Sequence, residues 1–201
     1  GVLDRFIALR SSLPRAVFLL GNHDQTFLDF LHDPMVYRVW RNYGGAQTLL
    51  SYGVRPPLFD REPDFVKARD ELLMKCPEGH IDLLRCFEVR FEWGDFLFVH
   101  AGIRPGVSLN KQRQEDFLWI RDDFLYSDEP AKYVVVHGHT PTERPICRPN
   151  RIGVDTGAHT TGNLTAAVIE GAEVKFLSTA DSDLRGAVVE SRGGYGLEIR
   201  E

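Results

Sequence analysis

Four short stretches of the sequence end an apolar run in a polar residue beside a glycine. Residues 17–25, VFLLGNHDQ, break at Gly21 and present Asn22, His23 and Asp24; LFVHAG (97–102) ends in His100. YVVVHGH (133–139) ends in His137 and His139, and RIGVDTG (151–157) in Asp155. Short apolar runs of β-branched and aromatic residues read as buried strands. Strands fix the residues at their ends, and glycines let a ligand come close to the backbone. Imidazole nitrogen with amide or carboxylate oxygen is a donor set for divalent manganese, iron or zinc. In open α/β sheets ligands gather at the carboxyl ends of strands, so four such ends together point to a metal centre. Each end alone has a plainer role: Asn22 could cap the following helix, Asp155-Thr156-Gly157 could be a turn, and a single strand-end histidine could belong to the core.

The elements that position these ends follow from periodicity. Residues 1–12 carry Leu3, Phe6 and Ile7 at helical spacing, and Pro14 ends that helix. Residues 16–20 read as a strand. From 25 to 52 the pattern is helical and aromatic, broken at Asp33-Pro34 and Gly44-Gly45; three prolines between 54 and 63 make a loop. A helix is expected over 64–75 and a shorter one from Pro77. Phe87, Val89 and Phe91 alternate with charged residues, then 93–95 turn into the apolar run 96–100, a hairpin. Residues 113–125 read as a short helix and turn. Further strands are expected at 133–136, 151–154, 164–169 and 174–177. The tail 181–201, with Gly186, Gly193, Gly194 and Gly196, reads as an irregular extension. Early helices and late strands give an α/β class, taken as one domain over 1–201.

Composition narrows the function. The 201 residues, 43% hydrophobic and 26% charged, suit a globular domain with a sizeable core. A net charge of −5 argues against nucleic acid or anionic membrane as partner, while leaving room for a local basic pocket for one phosphate. No apolar run is long enough to span a bilayer and no signal peptide is evident, so a cytoplasmic location is expected. Cys76, Cys86 and Cys147 lack a CxxC spacing and read as free thiols.

The stretches GNHD, VHAG, GHTP and DTGAHTTGNLTAAVIEG, with NYGGAQTLLSYG and DFLWIRDDFL, resemble the calcineurin-like metallophosphoesterases. Within these they are most similar to the phosphoprotein phosphatase branch of bacteria and bacteriophage lambda. The resemblance runs over nearly the whole chain. It implies two mixed sheets packed together and flanked by helices, and two divalent ions, manganese with iron or zinc as alternatives. It also implies hydrolysis of phosphoserine or phosphothreonine in a protein substrate. By the same resemblance Asn22, His100 and His139 are ligands of one ion, His23 is the general acid that protonates the leaving oxygen, and Arg121 clamps the phosphate. Arginine suits that task because its planar fork pairs two phosphate oxygens; a salt bridge to Asp122 or Asp123 is the plainer role. His137 is expected to be packing or support for the ligands, and Asp155 either orients a ligand histidine or caps a turn. His32, His80 and His159 match no catalytic position.

The family pattern also has a D-x-H and a G-D-x-x-D-R-G, and neither occurs in these 201 residues. Those motifs supply the other ion's ligands and the carboxylate shared between the two ions. Asp4-Arg5 is no substitute, because no Gly-Asp precedes it. An N-terminal ββ unit is therefore expected to be missing. Two other activities stand beside protein phosphatase: symmetrical dinucleoside tetraphosphate hydrolysis, and a non-catalytic binding remnant.

Overall fold

The computed structural model describes residues 1–13 and 15–180, together with the backbone of 185–191 and 197–200. The chain divides into two compact units, residues 1–88 and 89–201.

The first unit is helical. Helix α1 (Val2–Ser12) is followed by α2 (Asn22–His32), a 3₁₀ turn at Pro34–Val36, α3 (Tyr37–Trp40), α4 (Gly45–Ser51), α5 (Glu62–Lys75) and α6 (Glu78–Arg85). Pro14, read as the breaker after α1, lies outside the described residues. Gly21 is the N-cap of α2, and its N–H donates to Asp24 Oδ2 at 2.8 Å, which satisfies one of the orphan donors of the helix start. Asp33 starts the next turn by accepting from Met35 N at 2.9 Å, with Pro34 at its first position. Helix α5 buries Phe65, Ala68 and Leu72 at helical spacing. These join Phe27, Phe30, Tyr37, Trp40 and Leu49 in an aromatic core, each buried ring or leucine contributing about 1.5–3 kcal/mol. His80 belongs to this packing: its Nε2 lies 2.9 Å from Asp4 Oδ1 and its Nδ1 3.0 Å from Tyr52 OH.

The strand read over 16–20 shrinks to a single parallel bridge between Leu19 and Glu88. Two backbone bonds make it, Glu88 N to Phe18 O and Leu20 N to Glu88 O, both 2.8 Å. The partner cannot extend the ladder, because Cys86 and Phe87 are still closing the last turn of α6. The apolar run packs by its rings instead, Phe18 lying 5.1 Å from Phe6 and 5.7 Å from Phe87.

The second unit is two sheets. The hairpin β1 (Arg90–Trp93) and β2 (Phe96–Val99) joins β3 (Val134–His137), β5 (Arg151–Gly153) and β4 (Ile146–Arg148) in the order β1-β2-β3-β5-β4. Pairs β2-β3 and β3-β5 are parallel and the edge pairs antiparallel, a mixed sheet. The second sheet, β6 (Thr165–Glu170), β7 (Glu173–Ser178), β8 (Arg185–Ser191) and β9 (Leu197–Arg200), is antiparallel throughout rather than mixed. The tail read as irregular therefore contributes two strands; 181–184, 192–196 and 201 lie outside the described residues.

Alternation along the mixed sheet separates two cores. Val134, Val136 and Ile152 cluster with Val174 and Phe176 of β7, packing the two sheets together. Leu97, Val99 and Val135 turn the other way, toward Phe117 of α7 (Gln114–Trp119) and Phe124 of α8 (Asp122–Leu125). A short helix α9 (Ala158–Thr161) follows β5. The region 113–125, read as one helix and a turn, is two short helices parted at Ile120-Arg121. All three cysteines are free thiols. No helix among the described residues is long and apolar enough to cross a membrane.

Candidate metal and phosphate site

Asn22 and His23 belong to the first unit and open α2, so the residue that caps the helix is Gly21, not Asn22. Successive helical residues project about 100° apart, and these two differ accordingly: Asn22 is buried at 3% exposure, while His23 is exposed. The Asn22 backbone carbonyl accepts from Thr26 Oγ1 at 2.7 Å. The His23 ring meets Tyr43 edge-on at 5.6 Å. Gly44, at φ 101°, runs so close that a Cβ there would sit 3.2 Å from His23 Cε1. The paired glycines of NYGGAQ thus have a local cause: Gly44 makes room for His23, and a Cβ on Gly45 would strike the Trp40 ring at 2.7 Å. Asp24 is absorbed by the helix cap, and burial pushes its carboxyl above the usual carboxylate range despite the bond from Gly21 N–H.

In the second unit the ends of β2 and β3 lie side by side. Gly138 N donates to His100 O at 2.9 Å, carrying the parallel pairing one step past the strands. His100 Nε2 and His139 Nδ1 are 3.0 Å apart, with the ring centroids at 4.9 Å. Glycine serves packing here too: a Cβ at Gly102 would lie 2.4 Å from Phe124 Cδ1.

His139 sits at φ 66°, alone among the described non-glycine residues in having positive φ. Thr140 N donates back to Gly138 O at 2.7 Å, so His139 is the centre of a three-residue turn closed across it. Such a γ-turn with positive central φ is rare and strained, costing on the order of 1–3 kcal/mol. Strain of this kind persists where the surroundings hold it, and it lifts His139 out of the strand line toward His100. Trp119 meets the His139 ring edge-on at 6.1 Å.

Arg121, the N-cap of α8, reaches the same turn. Its Nη1 donates to His139 O at 3.4 Å and to Thr140 Oγ1 at 3.2 Å. The guanidinium is thus directed away from its neighbours Asp122 and Asp123, and Asp123 lies 3.8 Å from Arg104 instead. Arg104 also binds buried Asp116 at 2.8 Å, fastening the loop after His100 to α7. Burial alone would raise the Asp116 carboxyl, but bonds from Arg113 N–H and Arg104 outweigh it and hold the group below the usual range.

His137 turns to the helix side of the sheet, its ring edge-on to Phe124 at 5.0 Å, and is buried at 3% exposure. Burial pushes its imidazole below the ordinary histidine range, so it is neutral at pH 7. Asp155 caps a turn, its Oδ1 accepting from Gly157 N at 2.9 Å.

Thus His100, His139 and Arg121 are brought together within one unit, and Asn22 and His23 open one helix of the other. Sequence reasoning missed Thr140 and the strained turn, and quoted Trp119 without giving it a role. A zinc-type ion binds imidazole nitrogen at about 2.0–2.1 Å in tetrahedral geometry, so two such ligands stand about 3.3–3.4 Å apart, a few tenths of an ångström more than the hydrogen-bonding separation of 3.0 Å between His100 Nε2 and His139 Nδ1. Two imidazoles side by side are a donor set suited to a divalent ion. Among the described residues no group of three or more His, Cys, Asp or Glu could hold a metal.

The model of the calcineurin-like phosphoesterases matches residues 2–168, which covers the first unit and the second as far as β6. No curated protein sequence matches the chain. That family comprises metal-dependent phosphoester hydrolases, and its match over most of the sequence accounts for strand ends furnished with histidine and glycine; the chain belongs to the calcineurin-like phosphoesterase family.

Proposed function

We propose that the chain is the Asn22–His100–His139 part of a serine/threonine phosphoprotein phosphatase, with phosphorylated protein as its substrate. The observation that carries this reading is the His100–His139 nitrogen pair at 3.0 Å with the Arg121 guanidinium on the same turn. Asn22, His100 and His139 would hold one divalent ion, with manganese first and iron or zinc as alternatives. When bound, the metal pair of such enzymes supplies Lewis acidity toward phosphoryl oxygens and a water acidic enough to attack phosphorus. Arg121 binds the phosphate oxygens, and its position beside the ligand turn fixes the phosphate next to the ion site. His23, exposed and steadied by Tyr43, donates a proton to the departing alkoxide. General acid catalysis of this kind contributes about 10²–10⁴-fold.

The substrate is tested by incubating the chain with manganese and either a phosphoserine peptide or diadenosine tetraphosphate, following phosphate and ADP release. Because the motifs for the other ion's ligands do not occur in these 201 residues, turnover is expected only when the chain is fused to a segment carrying D-x-H and G-D-x-x-D-R-G. The expected outcome is phosphate release by the fusion, slowed 10²–10⁴-fold by His23→Asn with metal content retained. ADP release instead would make the chain a dinucleoside tetraphosphate hydrolase. Peptide binding without turnover by the fusion would make it a binding remnant.

A further inference from the structure

His137 is explained by neither the ligand pair nor the substrate clamp, yet it is buried beside both. Its Nδ1 lies 3.2 Å from Gly138 O, the oxygen that Thr140 N already binds at 2.7 Å to close the turn around His139. Its Nε2 is buried without a hydrogen-bond partner, 3.4 Å from where a Cβ on Gly153 would sit. Two tautomers are open to a neutral imidazole. With the proton on Nε2, an N–H would be buried unpaired and the Nδ1 lone pair would face a carbonyl oxygen, both unfavourable. With the proton on Nδ1, the ring donates to Gly138 O and only a lone pair is left unmet. The second arrangement is the one this environment selects. Phe124, edge-on to the ring, and the absent side chain of Gly153 set where the ring lies.

The Gly138 carbonyl belongs to the peptide whose plane sets the φ of His139, and that φ is the strained 66°. A second donor on this oxygen holds the peptide in the orientation the turn requires. We propose that His137 is a positioning residue: its Nδ1–H, bonded to Gly138 O, holds the strained turn from which His139 meets His100, and so presets the ion ligands. The inference rests on the reading of His139 as a ligand.

Three measurements test it. Nitrogen-15 NMR of the imidazoles of the wild-type chain should show His137 protonated on Nδ1; an Nε2-protonated His137 would overturn the proposal whatever the variants do. Manganese affinity, titrated calorimetrically, should fall about 10–100-fold in His137→Phe, which keeps the ring volume but has no donor, the usual worth of a group that orients a ligand. His137→Asn, whose amide nitrogen can take the Nδ1 position, should stay within about threefold of wild type by the same measure. A purely packing role predicts the opposite order, with Phe nearer wild type, and that order would overturn the proposal. His139→Ala serves as the separate check on the underlying reading. Unchanged manganese affinity in that variant would remove the ligand and the role of His137 with it, while the tautomer measurement would still decide the hydrogen bond.

Discussion

Substituting Gly102 by alanine should loosen the second unit and the histidine pair together. The added methyl carbon would lie 2.4 Å from Phe124 Cδ1, 2.7 Å from Cγ and 2.9 Å from Ile120 Cγ2. Carbon contacts are comfortable at about 3.5–4.0 Å, so the ring or the backbone must retreat by roughly 1 Å. Phe124 cannot swing outward: it is 4% exposed, edge-on to His137 at 5.0 Å, with the Arg151 guanidinium 6.0 Å from its centroid. Overpacking a closed core costs about 1–3 kcal/mol, and a clash with a ring locked on these sides belongs in the upper half of that range. At about 2–4 °C per kcal/mol for a chain of this size, Tm should fall by roughly 4–12 °C. Circular-dichroism melting gives Tm, and manganese titration of the folded variant should show weaker binding, since the displaced ring presses on His137. A melting temperature within about 2 °C of wild type together with unchanged manganese affinity would refute the packing argument.

Gly79 lies in α6, where a Cβ would meet only Ile7 Cδ1 at an ordinary 3.6 Å. Gly79→Ala should therefore stabilise by about 0.5–1 kcal/mol through reduced unfolded-chain entropy, read by urea titration; destabilisation would show the contact to be tighter than described. Asp116 has a folded pKa below its unfolded value, so its ion pair and backbone bond stabilise fully above about pH 4 and are lost as pH falls through the folded pKa. Asp116→Asn should lower Tm at pH 7 and flatten its decline in acid; an unchanged acid slope would count against the pair.

Much of the site was legible because strand ends are punctuated. Apolar runs stopping at His100 and in His137-Gly138-His139 read as strand ends that present polar side chains, and the alternation that sends His137 to the helix face is visible once Val134–His137 is a strand. What sequence could not give depended on partners distant in the chain. The run 16–20 has the composition of a strand, but among the described residues its pairing is the single bridge from Leu19 to Glu88. Ile146–Arg148 is too short to stand out, and becomes a strand by pairing with β5. The tail glycines suggested irregular chain, yet β8 finds a template in β7. The turn at His139 was invisible for a different reason: nothing in GHTP states that the histidine, rather than the glycine, takes the positive φ.

The central claim, that His100 and His139 form the imidazole pair of a divalent-ion site, is tested most directly by manganese binding to the folded chain. Calorimetric titration of wild type, His100→Ala and His139→Ala, with far-ultraviolet circular dichroism to confirm folding, settles it. The account predicts one manganese per chain in wild type, and loss of that binding in either variant, because each removes one of the two nitrogens 3.0 Å apart. Wild-type stoichiometry and affinity in both variants would contradict it.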